Sequence, residues 1–343
     1  MPESTPQPSQ KPNQQPAHTP RTRLAPSPTG ALHLGNARTF LLNWALARRH
    51  GWRIVLRIED LDGPRIKPGA DADARRTLEY LGLDWDEGPV VQSADLAPYT
   101  AAMHELARAG AAFPSPLSRK EIEAAASAPH GSGPAAGEVR FPPELRPDPP
   151  PEGFTFDPDD DSVGWRLRTA PGPVRFGDRF AGPQAHDPHA TVGDFVVWTK
   201  RRQPAYQLAV VVDDARQGID RVVRGDDLLD STARQVLVAR ALGLHGWLAK
   251  VEWTHLPLVL GADGRRLAKR HGDTRLTTYR ERGVPGERVV GLVAWWSGAA
   301  RAPEPMTAAE LADRLDPGTI PRTPVTFTER DERWLTSGGS HVG

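Results

Sequence analysis

The stretch RLAPSPTGALHLGNART, residues 23–39, places prolines and a glycine directly before a helix-like pattern. Such a run predicts a turn that ends at a helix N-terminus, where unpaired N–H groups and the positive end of the helix dipole favour a phosphate. Gly30 and Gly35 allow close approach of the backbone, and the His33 imidazole can donate a hydrogen bond to a phosphate oxygen. These residues alone fit a nucleotide-binding loop and a plain turn before a surface helix equally well.

The chain around this stretch alternates between helix and strand patterns. We predict helices where apolar residues recur at helical spacing and end near a glycine, over 34–50, 71–82, 98–109 and 226–242. We predict strands over 52–60 and over the buried apolar run Leu208–Val212, ended by Asp213–Asp214. This order favours an α/β fold.

Composition sets limits on the partners and on the compartment. The chain has 343 residues with a formal net charge of zero, so any contact with nucleic acid must come from a local patch. No cysteine is present, which excludes disulfides and thiolate metal sites. No run of 18 apolar residues could span a membrane, and the Pro- and Gln-rich residues 1–20 lack a signal-peptide core. We therefore expect a cytosolic (cytoplasmic) protein with a disordered tail over 1–20 and an irregular insertion over 127–161.

A second polar segment, RRLAKRHGD at residues 265–273, follows a turn that contains two glycines. Runs of this kind are most often solvated surface. A flexible basic loop could also fold over a polyanion, in which case Lys269 would place a compact positive charge on developing pyrophosphate.

Taken together and in this order, the two segments resemble the HIGH and KMSKS signatures of the class I aminoacyl-tRNA synthetases, the second in the form common to glutamyl enzymes. The intervening stretches LRIEDLDGPR (56–65), LGLDWDEGP (81–89) and THLPLVLGADG (254–264) are similar to the same family. The resemblance implies a Rossmann-like nucleotide-binding domain with a smaller inserted α+β module and a short C-terminal helical extension. It divides the chain into a tail at 1–20, a first catalytic half at 21–112, an insertion at 113–192, a second catalytic half at 193–260 and a final segment at 261–343.

Within the family, the chain is most similar to the glutamyl-queuosine tRNA(Asp) synthetases. Only 70 residues follow Asp273, which we expect to be too few for an anticodon-binding domain. This likeness implies activation of L-glutamate by ATP without tRNA, and transfer of glutamate to queuosine in the anticodon loop of tRNA(Asp). Two alternatives are a shortened glutamyl-tRNA synthetase that acylates a tRNA 3′ end and a non-catalytic tRNA-binding paralogue. An NAD-binding protein is disfavoured because no G-x-G-x-x-G follows a strand.

The resemblance also implies which residues bind the substrates. His33 and Lys269 are the expected catalytic residues. Arg23 would bind a carboxylate through its guanidinium, and Glu59 would hold the ammonium group. Without the family, Glu59 and Arg224 could each be part of an ordinary ion pair. The full set implied for glutamate is Arg23, Leu24, Ala25, Pro26, Ser27, Glu59, Tyr206 and Arg224. The set implied for ATP is Pro26, Gly30, His33, Gly35, Asn36 and Lys269, with Asn36 in place of the last histidine of the signature.

The resemblance leads to separate expectations for metals and for assembly. Mg²⁺ is expected to accompany ATP, and no residue is assigned to a protein metal site. Zinc is expected to be absent, because Ser115 and Leu117 stand where many relatives have cysteines and His130 offers one imidazole at most. We expect a monomer that contacts no membrane, and the sequence leaves open how tRNA is bound. Ala268 replaces the usual serine of the second signature.

Overall fold

The computed structural model describes residues 18–28, 31–63, 66, 68–126, 140–267 and 273–337. The α-helices are α1 Leu34–His50, α2 Ala70–Tyr80, α3 Ala97–Arg108, α4 Arg119–Ala126, α5 Pro188–Thr191, α6 Tyr206–Arg216, α7 Leu229–Ala241, α8 His245–Leu248, α9 Leu276–Glu281, α10 Gly286–Trp296, α11 Ala308–Arg314 and α12 Glu329–Thr336. The strands are β1 Arg21–Leu24, β2 Arg53–Ile58, β3 Glu87–Val91, β4 Ala112–Ser115, β5 Gly164–Leu167, β6 Val174–Asp178, β7 Gly182–His186, β8 Phe195–Thr199, β9 Gln203–Pro204, β10 Arg221–Gly225, β11 Glu252–Leu256, β12 Val259–Leu260 and β13 Val325–Thr326.

A parallel sheet of order β1-β2-β3 forms the first half of the fold. Strand β2 is rich in β-branched and aliphatic residues and is buried along most of its length, as expected for a strand covered on both faces. Helix α1 connects β1 to β2 and packs its apolar residues into the main core. The carboxyl ends of β1 and β2 therefore lie beside the N-terminus of α1.

The second sheet has the order β10-β11-β6-β7, with β6, β10 and β11 parallel. The backbone N–H of Asp220, just before β10, donates to the carbonyl oxygen of Arg21 at 3.0 Å. This bond places β10 beside β1, so Arg224 near the end of β10 comes close to Arg23 on β1.

The inserted part of the chain contributes to an antiparallel sheet of order β4-β5-β8-β9. The ring of Phe156 packs edge-on against Trp165 and Trp198, at 5.3 and 5.1 Å between centroids. These rings form a separate core together with helices α3 and α6. The sheet contains strands from both sides of residue 192, the predicted end of the insertion. The predicted segment boundaries stay predictions.

The C-terminal segment packs on the main core next to α1. Leu311, Leu315 and Leu335 are fully buried in the same apolar cluster as Leu41 and Leu42 of α1. Strand β13 pairs with β12 in parallel, which ties this segment to the chain just before the basic loop.

The predicted helices at 34–50, 71–82 and 98–109 are confirmed as α1, α2 and α3, and 226–242 is confirmed as a short 3₁₀ turn followed by α7. The strand at 52–60 is confirmed as β2. The strand predicted over Leu208–Val212 is wrong, because these residues lie within helix α6. A short, continuously apolar run fits a buried strand and a buried helix equally well, and α6 is covered on several sides. Within the described ranges, no helix combines the length and apolar character that a membrane span requires.

Candidate active site

A cleft of about 230 Å³ opens where the ends of β1, β2 and β10 meet the N-terminus of α1. Its walls combine polar groups suited to an anionic ligand with a few apolar side chains. The residues that line it are Arg23, Ala25, His33, Gly35, Asn36, Thr39, Phe40, Asn43, Glu59, Tyr206, Val223, Arg224, Gly225, Asp227, Leu228, Leu258, Val259 and Arg266.

His33 and Asn36 cap helix α1 reciprocally. The His33 Nδ1 atom accepts a hydrogen bond from the backbone N–H of Gly35 at 3.1 Å, and Asn36 Oδ1 accepts from the backbone N–H of His33 at 3.1 Å. This is a capping box built with histidine and asparagine. Because Nδ1 accepts, the ring proton lies on Nε2, which leaves that atom as the donor for a ligand.

The charge state of His33 follows from its surroundings. Burial, together with the positive charge of Arg266, lowers the pKa of His33 to about 4 from 6.5, and Asp227 offsets this only in part. The imidazole is therefore neutral at neutral pH. A neutral donor beside a helix N-terminus can bind a phosphate oxygen without giving up a proton.

The ends of the basic loop are held close to the cap of α1. The backbone N–H of Leu267 donates to the carbonyl of Val259, a residue of the cleft wall, at 3.0 Å. On the other side of the loop, the N–H of Leu34 donates to the carbonyl of Thr274 at 3.1 Å. Arg266 forms an ion pair with Asp227 across the cleft. The two signature segments are thus neighbours in the fold.

A buried charge network supports the side of the cleft formed by β1 and β2. Arg57 is fully buried and donates to Glu59 Oε1 at 3.0 Å and to Asp214 Oδ1 at 2.7 Å. Arg23 reaches the same oxygen of Asp214 at 3.3 Å. Burial alone would lower the pKa of Arg57, but Asp214, Glu59 and Asp213 outweigh it and raise the pKa above its ordinary value. Both hydrogen bonds to Glu59 use Oε1, so Oε2 has no protein partner in the described residues.

Three neutral hydrogen-bond acceptors orient the guanidinium of Arg224. Its Nε atom donates to His255 Nε2 at 2.9 Å, and its Nη2 atom donates to Thr232 Oγ1 and Gln235 Oε1, both at 2.8 Å. Within the described residues, the buried Nη1 atom forms no hydrogen bond of standard geometry, although the Tyr206 hydroxyl lies close to the guanidinium. A buried guanidinium without a direct carboxylate partner favours an anionic ligand.

The orientation of His255 is fixed by Asp178. His255 Nδ1 donates to Asp178 Oδ2 at 2.6 Å, and both side chains are completely buried. Burial lowers the pKa of His255 despite this hydrogen bond, so the ring is neutral and its Nε2 atom can accept from Arg224. Asp178, His255 and Arg224 therefore form a continuous hydrogen-bonded line that ends at the cleft.

Most of the predicted site residues meet in the cleft. Arg23, Ala25, His33, Gly35, Asn36, Glu59, Tyr206 and Arg224 line it. Three do not: the side chain of Leu24 lies in the main core, and Pro26 and Ser27 lie in the following turn, outside the cleft walls. Gly30 and Lys269, as well as His130 and Ala268, lie outside the described residues.

Several residues of the site were not predicted from the sequence. Asn43, on the third turn of α1, donates to the carbonyl of Arg23 at 2.9 Å and fixes the backbone of β1. Arg57, Asp178, Asp214 and His255 act through partners that are distant in sequence. Arg57 has in addition a partner nearby in sequence, because it donates to the predicted site residue Glu59 two positions later. This spacing is a local signal that could have drawn attention to Arg57.

The comparisons with known proteins agree with this geometry. Residues 20–312 match the family described as tRNA synthetases class I (E and Q), catalytic domain. The chain belongs to this family. Membership implies that it uses ATP as a ligase of the class I aminoacyl-tRNA synthetases, and it confirms the predicted α/β fold class.

The match extends over most of the length of the relatives. The chain is 46% identical over 327 residues to the glutamyl-Q tRNA(Asp) synthetase of Symbiobacterium thermophilum, covering 92% of this chain and 98% of that protein. It is also 46% identical over 305 residues to the protein of the same name from Rhodopirellula baltica, covering 85% and 88%. A solved glutamate-tRNA synthetase from Elizabethkingia anophelis superposes with a TM-score of 0.72 at 23% identity, covering 93% of this chain and 70% of that one, which shows a shared fold.

Proposed function

We propose that this chain activates L-glutamate with ATP in the absence of tRNA and transfers the glutamyl group to queuosine in the anticodon loop of tRNA(Asp). The names of its relatives support the reaction. The observation that carries the proposal is the cleft, where two buried guanidinium groups and one carboxylate face the capped N-terminus of α1.

The positions of the charges suit an amino acid with two carboxylates. In our proposal Arg23 and Arg224 bind the carboxylates of glutamate, because a guanidinium matches the planar geometry of a carboxylate. Glu59 Oε2 accepts from the ammonium group, and the Arg57 contact keeps Oε1 of the same carboxylate in place. Tyr206, which is 41% exposed and begins α6, closes one side of the pocket.

The phosphates of ATP would lie at the N-terminus of α1. The Nε2–H of His33 donates to a phosphate oxygen, and the close backbone approach at Gly35 leaves room for it. A Cβ atom at residue 35 would lie 3.0 Å from His33 Cε1, so a larger residue there would push the imidazole out of place. Lys269, in the basic loop, neutralises charge on the departing pyrophosphate.

The first reaction step needs no protein nucleophile. An oxygen of the glutamate α-carboxylate attacks the α-phosphorus of ATP, the bond to the β-phosphate oxygen breaks, and pyrophosphate leaves. The protein contributes by orienting the reactants in line and by stabilising the charge that builds up on the leaving group. Negative charge on the phosphate oxygens would be neutralised in part by Mg²⁺ bound together with ATP. Across the described ranges, no group of three or more metal-ligating side chains forms a cage for it.

The proposal is tested with two half-reactions. Glutamate-dependent ATP–pyrophosphate exchange should proceed without any tRNA. Labelled glutamate should then appear on tRNA(Asp) that carries queuosine, but not on the same tRNA without it. Removal of the 3′-terminal adenosine separates this reaction from ordinary aminoacylation, because transfer to queuosine should survive it. Transfer that depends on the 3′ end, or exchange that requires tRNA, would contradict the proposal.

Three finer expectations accompany this function. We propose that the chain acts as a monomer, which size-exclusion chromatography with light scattering tests. We also propose that it contains no structural zinc, since Ser115 and Leu117 cannot replace thiolate ligands. A cytosolic (cytoplasmic) location follows from the proposed tRNA substrate.

A further inference from the structure

A second cavity, of about 530 Å³, adjoins the cleft, and Tyr206 lines both. It lies between the sheet β4-β5-β8-β9 and the N-terminus of α6. Tyr206 contributes an aromatic ring that is 41% exposed, and Lys200 and Arg234 contribute positive charge. The cavity therefore combines an aromatic wall with cations, as sites for single nucleotides do.

Two residues of this cavity have unsatisfied polar groups. The Ser115 hydroxyl and the Trp198 indole N–H are buried and have no hydrogen-bond partner in the described part of the chain. The two residues are 4% and 1% exposed. Buried polar groups are nearly always hydrogen-bonded, and leaving one unpaired costs free energy. The wall of the cavity therefore contains polar groups that the described protein atoms leave unpaired.

A chain of hydrogen bonds links the two cavities. In the cleft, Arg224 Nη2 donates to Gln235 Oε1 at 2.8 Å, and Gln235 Nε2 donates to Gln207 Oε1 at 3.0 Å. Gln207 Nε2 then donates to Ser231 Oγ at 3.1 Å, and Arg234 Nη2 donates to the same hydroxyl at 3.2 Å. Cleft and second cavity thus share Tyr206 and one polar network between α6 and α7.

We propose that the second cavity binds the acceptor nucleoside during glutamyl transfer, and this inference rests on the proposed function. In that step a ring hydroxyl of the acceptor attacks the carbonyl carbon of glutamyl-adenylate. A new ester C–O bond forms, the C–O bond to the phosphate of AMP breaks, and the hydroxyl proton passes to that phosphate. The acceptor must approach from beside the glutamate, and the second cavity opens there, next to Tyr206.

The test compares the two half-reactions in variants of the cavity wall. Val196→Trp fills the cavity from β8, and Arg234→Ala removes a cation from α7. Arg240→Ala is the matched control, because Arg240 lies on the same helix but is exposed and lines a different cavity. Thermal melting of each variant monitors folding. The assays are ATP–pyrophosphate exchange without tRNA and transfer of labelled glutamate to tRNA(Asp) with and without queuosine.

We expect V196W and R234A to retain exchange within about twofold while transfer falls by about tenfold or more, with R240A like the parent in both assays. Equal losses in exchange and transfer would overturn the inference, since the cavity would then serve glutamate or ATP. Transfer at the parental rate in V196W and R234A would also overturn it. Absence of transfer in the parent protein itself would instead refute the proposed function on which the inference rests.

Discussion

Replacing His255 with leucine should weaken glutamate binding while leaving ATP binding almost unchanged. His255 contacts no substrate in our account, but its Nε2 atom accepts a hydrogen bond from Arg224 Nε at 2.9 Å. Leucine fills much of the space and offers no acceptor. The guanidinium of Arg224 would keep its charge and lose one of its three protein acceptors, while Asp178 would still accept from the backbone N–H groups of Phe180 and Ala181.

The size of the effect follows from the bond that is lost. A hydrogen bond to a charged group is worth about 1.5–3 kcal/mol. This corresponds to about a 10- to 150-fold change in an equilibrium constant. We therefore expect the KM for glutamate in ATP–pyrophosphate exchange to rise within this range, and the KM for ATP to change by less than about threefold.

Two further variants distinguish a positioning role of His255 from a purely structural one. His255→Gln offers an amide oxygen to Arg224 and should recover part of the affinity for glutamate. Asp178→Asn keeps a hydrogen-bond acceptor for His255 Nδ1 and should have a smaller effect than the leucine variant. An equal rise in both KM values, or an unchanged KM for glutamate in H255L, would refute the positioning role.

Three other experiments test separate parts of the account. Lys269→Ala should reduce adenylate formation by about 100- to 1000-fold without lowering the melting temperature, and near-normal exchange would contradict its role. Because burial lowers the pKa of His33 to about 4 from 6.5, the unfolded chain binds the proton more readily, so the free energy of unfolding should fall as the pH drops from 6.5 to about 4. This fall should be smaller in His33→Asn, which retains a good N-cap residue. Urea titrations across this pH range that show equal falls in the parent and in the variant would count against the role of His33. Elemental analysis should find no stoichiometric zinc and a chelator should leave melting unchanged, whereas one zinc per chain would show the prediction to be wrong.

The proposed phosphate side of the site was predictable because its determinants are local. A histidine, a glycine and a helix start lie within one short stretch, and the structure brings His33 and Gly35 together in the cap of α1. The role of Asn36 was harder to foresee. It replaces a histidine of the signature and bonds back to the backbone N–H of His33, so the substitution preserves a cap.

The residues that support the proposed glutamate pocket could not be predicted in the same way. Asp178 and His255 are 77 residues apart, and Arg57 and Asp214 are 157 apart, so only the packing of separate strands and helices brings them together. Asp213 and Asp214 even suggested the end of a strand. In the structure they lie in helix α6, where burial lets them balance the charge of Arg57.

The central claim is that the cap of α1 and the basic loop act on one triphosphate beside a bound glutamate. A crystal structure of the protein with glutamate and a non-hydrolysable ATP analogue tests this most directly. We predict that His33 Nε2 and Lys269 Nζ each lie within about 3.2 Å of oxygens of the same triphosphate, with Arg224 on a glutamate carboxylate. A nucleotide bound away from His33, or a loop that cannot bring Lys269 to its phosphates, would contradict the account.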